Sequence, residues 1–234
     1  MGDANTFSFK EHLSFWNDTT SYALRACLLI DLALSGRIVL KKSTSKKLEN
    51  WPVFVRDSTK IGEPVLDETL ERIDHMTKPR TLPAWIDLLC GDVWLWTLIK
   101  YHLKHARTRL AEGLVSKGII KTNVTSLWMM NYVTYPWRDH HYKTMFCQQV
   151  TDFLLMEASV DHESAWLRMA ALISVAYLVN VLQPILHHLP KKLQRKALQR
   201  ATLLLSQLSQ PTDHLSPERQ VICVVLQAIM EDDW

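Results

Sequence analysis

Residues 22–35 read YALRACLLIDLALS, and this stretch decides the fold class. Apolar side chains fill nearly every position, and only Arg25 and Asp31 are charged. A helix that is apolar on all sides is normally buried inside a protein, so we predict that this one is central. Gly36 supplies a stop signal at its end, and three polar residues can cap its start: Asn17, Asp18 and Thr19.

Helical patterns dominate the rest of the chain. The helical stretches are predicted at residues 65–76, from 85, over 94–117, 146–158, 165–182 and 196–208, and from Pro217 after Ser216. Short strands are predicted at 37–42 and 51–57, and a hairpin from the two extended runs 119–122 and 126–137. The sequence therefore predicts one mainly α domain over residues 13–234, preceded by a short arm at 1–12.

Composition narrows the class of protein. The chain has 234 residues, which is ample for a core, and 27 basic against 24 acidic side chains. The net charge of +3 does not by itself make a nucleic-acid-binding protein, so an anionic partner must meet a local patch. The four cysteines are widely spaced, which predicts reduced thiols and neither a disulfide framework nor a zinc site: Cys27, Cys90, Cys147 and Cys223.

Motifs for catalysis and cofactors are absent from the sequence. It contains no P-loop, dinucleotide-binding, nucleophile-elbow or H-E-x-x-H pattern. Adjacent histidines, as at 140–141 and 187–188, do not share a helix face and lack zinc spacing. We therefore predict a protein that is not an enzyme and that holds no metal and no cofactor.

Two segments of the sequence have features that are relevant to membrane attachment. Gly2 followed by Thr6 matches the short myristoylation pattern, and no signal peptide is visible. Residues 169–189 carry no formal charge, but polar residues in the second half make a buried core helix the better interpretation than a membrane span. The sequence predicts a soluble protein.

Three basic residues are candidates for binding an anion. Arg25 lies in an otherwise apolar helix, where its charge is costly unless it meets an anion, a local carboxylate or the surface. Lys104 and Arg107 are three residues apart in the predicted helix 94–117, on one face. The alternative is a solvated charge stripe. Trp16, just before the central helix, is either a core or an interfacial aromatic residue.

The second strand of the predicted hairpin is apolar on both faces. A strand that packs on one side should alternate with polar residues, and this one does not. The apolar face that is not packed within the hairpin should contact the core, another subunit or a bilayer interface. The aromatic and apolar residues concerned are Leu127, Trp128, Met129, Met130, Tyr132, Val133, Tyr135 and Trp137.

Four blocks of the chain resemble the Golgi phosphoprotein 3 family. They are SFWNDTTSYALRACLLIDLALSGRI, GEPVLDETL, WIDLLCGDVW and LKHARTRLAEGLVSKGIIKT, and together they span residues 13 to about 137. The resemblance implies a peripheral protein on the cytosolic face of Golgi membranes that binds phosphatidylinositol 4-phosphate. It also implies retention of glycosyltransferases through their cytosolic tails, in vesicle-mediated transport. The implied fold is a helical bundle with a protruding hydrophobic β-hairpin.

Carried over position by position, the resemblance places the phosphoinositide site on Trp16, Arg25, Lys104 and Arg107. It places the hairpin for membrane insertion and self-association on SLWMMNYVTYP. Lys10 is the single basic residue before Arg25, where the family has an arginine cluster, and the family's leucine-rich first helix is replaced by MGDANTFSFKEH. This departure puts binding to the vesicle coat in doubt.

Two other classes of function fit parts of the sequence. Helix 94–117 followed by a hairpin has the local shape of a winged-helix nucleic-acid-binding module, but a DNA-contacting wing should carry Lys or Arg, and residues 127–137 carry neither. A helical enzyme without a known motif is a third alternative.

An acidic surface for basic glycosyltransferase tails is predicted at Asp67, Glu68 and Glu71, with an ordinary solvated helix face as its alternative.

Overall fold

The computed structural model describes residues 5–91, 96–127, 130–155, 163–212 and 214–231, with side chains from residue 19 onward and not for 127–132. In chain order the described elements are α1 (Asn5–Leu34), β1 (Ile38–Leu40), a 3-10 turn (Leu48–Asn50), β2 (Val53–Val55), α2 (Pro64–Asp74), α3 (Leu82–Cys90), a 3-10 helix (Trp96–Tyr101), α4 (Ala106–Ser116), β3 (Asn123–Leu127), β4 (Met130–Thr134), α5 (His140–Leu155), α6 (Glu163–Leu178), α7 (Leu182–Leu186), α8 (Lys191–Ser209) and α9 (Pro217–Glu231). This is the predicted mainly α domain.

Helix α1 is central, as the apolar stretch predicts. Leu29 and Leu32 are fully buried, and the helix packs against α3, α6 and α9. It begins at Asn5, inside the predicted arm, so the predicted caps at Asn17, Asp18 or Thr19 are wrong. The segment contains neither glycine nor proline, so nothing interrupts the helix before Leu34. Gly36, with φ +70°, ends it as predicted.

The core extends between α1 and the last helix. Helix α9 buries eight of its residues, which makes it a second central element that the sequence analysis did not single out. Ser216 precedes it and Pro217 occupies its first turn, as predicted. Helices α2, α3, α4, α6 and α8 pack against one or both of these two, and α5 and α7 pack against α6.

Two small antiparallel sheets complete the described part of the fold. Strands β1 and β2 pair with Ile38 opposite Val55, as the two predicted strands require. Strands β3 and β4 pair with Val124 opposite Val133. The predicted strand 126–137 is wrong as a single strand because the chain reverses between Leu127 and Met130, so that stretch contributes to both strands.

Two predicted helices are divided. The predicted helix 94–117 is a 3-10 helix, a loop and α4, because His105 adopts a left-handed conformation with φ 55°. Lys104 therefore precedes α4, and the prediction that it shares a helix face with Arg107 is wrong. Asn180, also left-handed, separates α6 from α7 within the uncharged segment 169–189. Among the helices that the structure describes, none is long and apolar enough to cross a membrane.

Candidate functional site

Arg25 holds three parts of the chain together. Its side chain is 5% exposed and donates from Nε to the carbonyl of Leu89, at 2.7 Å. Nη2 donates to the carbonyl of Leu103, at 2.9 Å, and Nη1 donates to the carbonyl of Ser21 one turn earlier in α1, at 2.9 Å. The buried charge therefore meets backbone carbonyls in α1, at the end of α3 and in the loop before α4, where the sequence had suggested a carboxylate or a bound anion.

The end of α3 explains why a guanidinium is stable there. The last carbonyls of a helix lack partners within the helix and carry partial negative charge. Leu89 lies one residue before the end of α3 at Cys90, and its carbonyl accepts the N–H of Leu103 at 3.0 Å as well as Nε of Arg25. Gly91, with φ +90°, turns the chain away at this point. Arg25 thus satisfies a helix end that the fold buries.

Lys104 directly follows Leu103, whose N–H is bonded to this helix end, and Arg107 lies three residues further along the chain; both side chains are exposed. Leu103 and Ala106 are almost completely buried, so the chain is held firmly on either side of Lys104. Arg107 lies in the first turn of α4, whose N-terminus is not capped by a side-chain hydrogen bond from His105. Free N–H groups and a positive helix end favour an anion at such a place.

Ion pairs hold α4 in position. Glu68 of α2 pairs with Arg109 of α4 and with Arg72 of its own helix. Arg72 also donates from Nη1 to the carbonyl of Tyr101 at 2.6 Å, at the end of the 3-10 helix. The loop that carries Lys104 is therefore held by a hydrogen bond from α2 as well as by the hydrogen bond from Arg25.

An exposed aromatic residue lies close to this site in sequence. Trp96 opens the 3-10 helix with 87% of its surface exposed, and Ile99 in the same helix is also exposed. Trp96 was not among the candidate residues from the sequence, because a continuous helix was predicted over 94–117 and no local pattern marks this position as exposed. Trp16, the aromatic residue that it did select, lies in α1, and its side chain is outside the described part of the chain.

The hairpin presents apolar side chains to solvent. Val124 and Val133, which face each other across β3 and β4, are 58% and 48% exposed. Trp128 and Met129 lie outside the described residues, as do the side chains of Leu127, Met130 and Tyr132. At the base of the hairpin Trp137 contacts Phe146 of α5, with ring centroids 6.2 Å apart. Residues 123–134 contain no Lys or Arg, so they lack the charge of a DNA-contacting wing.

Residues 9–217 match the family model described as Golgi phosphoprotein 3 (GPP34). The chain belongs to the Golgi phosphoprotein 3 family. This member is similar to proteins named vacuolar protein sorting-associated protein 74 from two fungi: it is 33% identical over 211 residues to the one from Schizosaccharomyces pombe and 35% identical over 211 residues to the one from Eremothecium gossypii. Each alignment covers 85% of this chain, and 62% and 63% of the respective relative.

These findings bear on the class of function. The family match supports a Golgi-related role, and the two relatives are named for vacuolar protein sorting. Within the described part of this family member, no group of three His, Cys, Asp or Glu residues is arranged to hold a metal ion. The four cysteines are free thiols.

Proposed function

We propose that this chain binds phosphatidylinositol 4-phosphate on the cytosolic face of Golgi membranes, as a peripheral membrane protein. The observation that carries the proposal is the pair of exposed cations at the uncapped N-terminus of α4, Lys104 and Arg107. A phosphate placed there receives charge-assisted hydrogen bonds from two side chains and from backbone N–H groups. The match to a Golgi family supports the membrane on which it acts.

Arg25 contributes to this proposed site mainly by holding in place the backbone that leads to Lys104. Four hydrogen bonds to Ser21, Leu89 and Leu103 engage all three of its nitrogens. Trp16 and the exposed Trp96 supply aromatic groups for the bilayer interface, where tryptophan is favoured.

The hairpin is the second membrane contact in this proposal. Its exposed valines, and the aromatic and methionine residues at its tip in the sequence, suit insertion at the interface or contact with a second copy of the chain. Lipid recognition by the cations then selects the membrane, and the apolar hairpin adds affinity that does not depend on the headgroup.

As an adaptor, the protein would retain glycosyltransferases by binding their basic cytosolic tails. Two of the three acidic residues considered for this role already have hydrogen-bond or ion-pair partners within the chain. Asp67 accepts the N–H groups of Ile61 and Gly62, at 2.6 and 3.1 Å, and Glu68 is paired with two arginines. Glu71 is exposed beside a shallow cavity of about 310 Å³ and is the better candidate.

Flotation with liposomes tests the lipid-binding role. Purified protein is mixed with phosphatidylcholine vesicles that contain or lack phosphatidylinositol 4-phosphate, and the floated fraction is measured. The proposal expects much stronger flotation with the phosphoinositide, and weaker flotation as salt rises. Equal flotation with both vesicles would refute it.

The adaptor role is tested separately by pull-down with a panel of glycosyltransferase tails. The Glu71→Lys variant should no longer bind these tails.

A further inference from the structure

The first half of helix α8 is strongly basic. Five of the ten residues from Lys191 to Arg200 are Lys or Arg, and the whole helix contains no Asp or Glu. The first four of these cations are exposed, and none of the four forms an ion pair among the described residues: Lys191, Lys192, Arg195 and Lys196. Their charge is therefore not balanced by a carboxylate in the part of the chain that the structure describes.

This arrangement of charge costs α8 stability in two ways. Like charges four positions apart on a helix repel each other, as do Lys191 and Arg195, and Lys192 and Lys196. Positive charge in the first turn also opposes the helix dipole, because the N-terminal end of a helix is itself positive. An anionic partner on this face would relieve both repulsions.

Other helices of the chain have the opposite and favourable pattern. Helices α2, α6 and α9 each have an acidic residue in the first turn, where it stabilises the helix: Asp67, Glu163 and Glu218. Helix α8 has two lysines in the corresponding turn. The unfavourable charge is thus particular to α8, which is what a binding surface requires and what helix stability alone would not produce.

The outermost stripe of α8 changes from charged to apolar along the helix. The helix packs against α5, α6 and α9, and its inner face is marked by its buried residues: Ala197, Ala201, Leu204, Leu205 and Leu208. On the opposite face, Lys192, Lys196, Gln199 and Leu203 follow one another at spacings of four, three and four residues, so they form one stripe. All four are exposed, and 52% of the surface of Leu203 is accessible.

The dimensions of this α8 stripe indicate what kind of partner fits. Lys192 and Lys196 are about 6 Å apart along the helix axis, the same distance that separates two carboxylates one turn apart on a partner helix. Leu203 lies about two turns beyond Lys196 and can contact an apolar side chain. The complementary surface is therefore a protein segment with acidic residues at one end and an apolar residue at the other.

A membrane and a nucleic acid fit the α8 stripe less well. A helix that lies in a bilayer interface is held there by a wide apolar face, whereas the exposed face of α8 has two leucines, Leu193 and Leu203, and no aromatic residue. A nucleic acid needs cations along its phosphate backbone, and residues 201–209 of α8 contain no Lys or Arg.

We propose that the α8 stripe docks an acidic segment of a partner protein. Lys192 and Lys196 bind its carboxylates through charge-assisted hydrogen bonds, and Leu203 packs against its apolar side chain. The charged and the apolar ends of the stripe fix the direction in which the segment lies. None of the residues proposed for lipid binding belongs to α8, so this surface is independent of the site at α4.

Fluorescence polarisation with a labelled helical peptide tests the proposal. The peptide has two glutamates one turn apart and a leucine two turns beyond the second glutamate. The full chain should bind it, and binding should weaken as salt rises. Lys192→Gln/Lys196→Gln should weaken binding at least about tenfold. The melting temperature of this variant should be unchanged or higher, because the repulsion between the two lysines is removed.

Two matched changes test the site itself. Leu203→Ser should weaken binding at least about threefold without lowering the melting temperature, since this side chain is exposed. Lys60→Gln/Lys78→Gln removes the same charge from exposed positions elsewhere and should leave the affinity unchanged. A loss of binding in this control equal to that in Lys192→Gln/Lys196→Gln would overturn the proposal, because binding would then reflect net charge.

Further outcomes would assign the α8 stripe to something else and overturn the proposal. One is flotation of the Lys104→Ala/Arg107→Ala variant with phosphatidylserine vesicles that is lost when Lys192→Gln/Lys196→Gln is added, since this would indicate a membrane contact. Another is tighter binding of a DNA duplex than of the peptide, lost in the same glutamine variant. Absence of peptide binding by the wild-type chain, or a lower melting temperature of the glutamine variant, would equally overturn it.

Discussion

Nη2 of Arg25 donates to the backbone carbonyl of Leu103 at 2.9 Å, a hydrogen bond that joins residues 78 positions apart. Leu103 is followed directly by Lys104, so this contact locates the backbone from which an exposed cation projects. The same guanidinium binds the carbonyl of Leu89 at the end of α3. Arg25 is therefore a positioning residue for the proposed phosphate site, in addition to any direct contact with a lipid.

Replacing Arg25 should cost stability as well as lipid binding. The sequence alone predicts that Arg25→Ala loses lipid selectivity with the fold kept, but the structure shows buried carbonyls that would lose their donors. We expect Arg25→Ala to lower the free energy of unfolding by roughly 2–4 kcal/mol, measured by urea denaturation. Arg25→Lys should recover part of the loss because it keeps the charge. An unchanged unfolding free energy for Arg25→Ala would show that these hydrogen bonds contribute little.

Removing the two exposed cations should affect binding alone. Lys104→Ala/Arg107→Ala should keep the unfolding free energy within about 0.5 kcal/mol of wild type, since exposed side chains contribute little to stability. Each lost charge-assisted contact should weaken binding to phosphatidylinositol 4-phosphate vesicles by roughly 1.5–3 kcal/mol. The matched control is Lys60→Ala/Lys78→Ala, which removes the same charge from exposed positions elsewhere. If the control floats as poorly as the double variant, binding reflects net charge and not a site.

Gly91 should be required for the position of the loop that carries Lys104. A Cβ added at this residue would lie 2.9 Å from the ring of His102, and φ of +90° is unfavourable for other residues. We expect Gly91→Ala to destabilise the protein by about 1–2 kcal/mol and to weaken lipid flotation, because the ring of His102 must move. Gly62→Ala is the control: Gly62 also has a positive φ but has open space around it, so this variant introduces backbone strain without a clash. Equal lipid binding by the two variants would argue against the clash.

The hairpin should contribute membrane affinity without stabilising the fold. Val133→Asp, and the double change Trp128→Asp/Met130→Asp, should weaken vesicle binding or self-association while helical circular dichroism is unchanged. The reason is that Val133 and its cross-strand partner Val124 are exposed. Val133→Thr, which keeps the branched shape, serves as the control for hairpin formation. A large loss of helicity in the aspartate variants would instead place this segment in the core.

The thiol of Cys27 should make stability fall at alkaline pH. Burial raises the pKa of this thiol from 9.0 to about 12, so the folded chain keeps a proton that the unfolded chain releases. Stability is therefore full below pH 9 and falls as pH rises from about 9 to 12, by at most about 1.4 kcal/mol per pH unit for this one group. Urea unfolding between pH 8 and 11 checks this. Cys27→Ala should show a shallower decline than wild type over this range, and a parallel decline would exclude the thiol as its cause.

Much of the fold follows from local patterns in the sequence. The apolar stretch 22–35 predicts the central helix, and the stop at Gly36 is correct because glycine adopts the left-handed conformation that ends a helix. Helix 94–117 was predicted as continuous because its apolar spacing is regular. The helix is interrupted near His105, where the backbone of Leu103 is hydrogen-bonded to Leu89 and to Arg25. Both partners are distant from Leu103 in the sequence, so local spacing does not reveal the interruption.

The sequence by itself determined the family, the mainly α class and the residue types that can bind an anion, since these depend on composition, spacing and order along the chain. Only the tertiary structure decided what each charge does. Arg25 is buried among carbonyls, whereas Lys104 and Arg107 are exposed at the start of α4. The physical reason is that burial and hydrogen-bond partners are set by the packing of α1, α3 and α4, which no local pattern encodes.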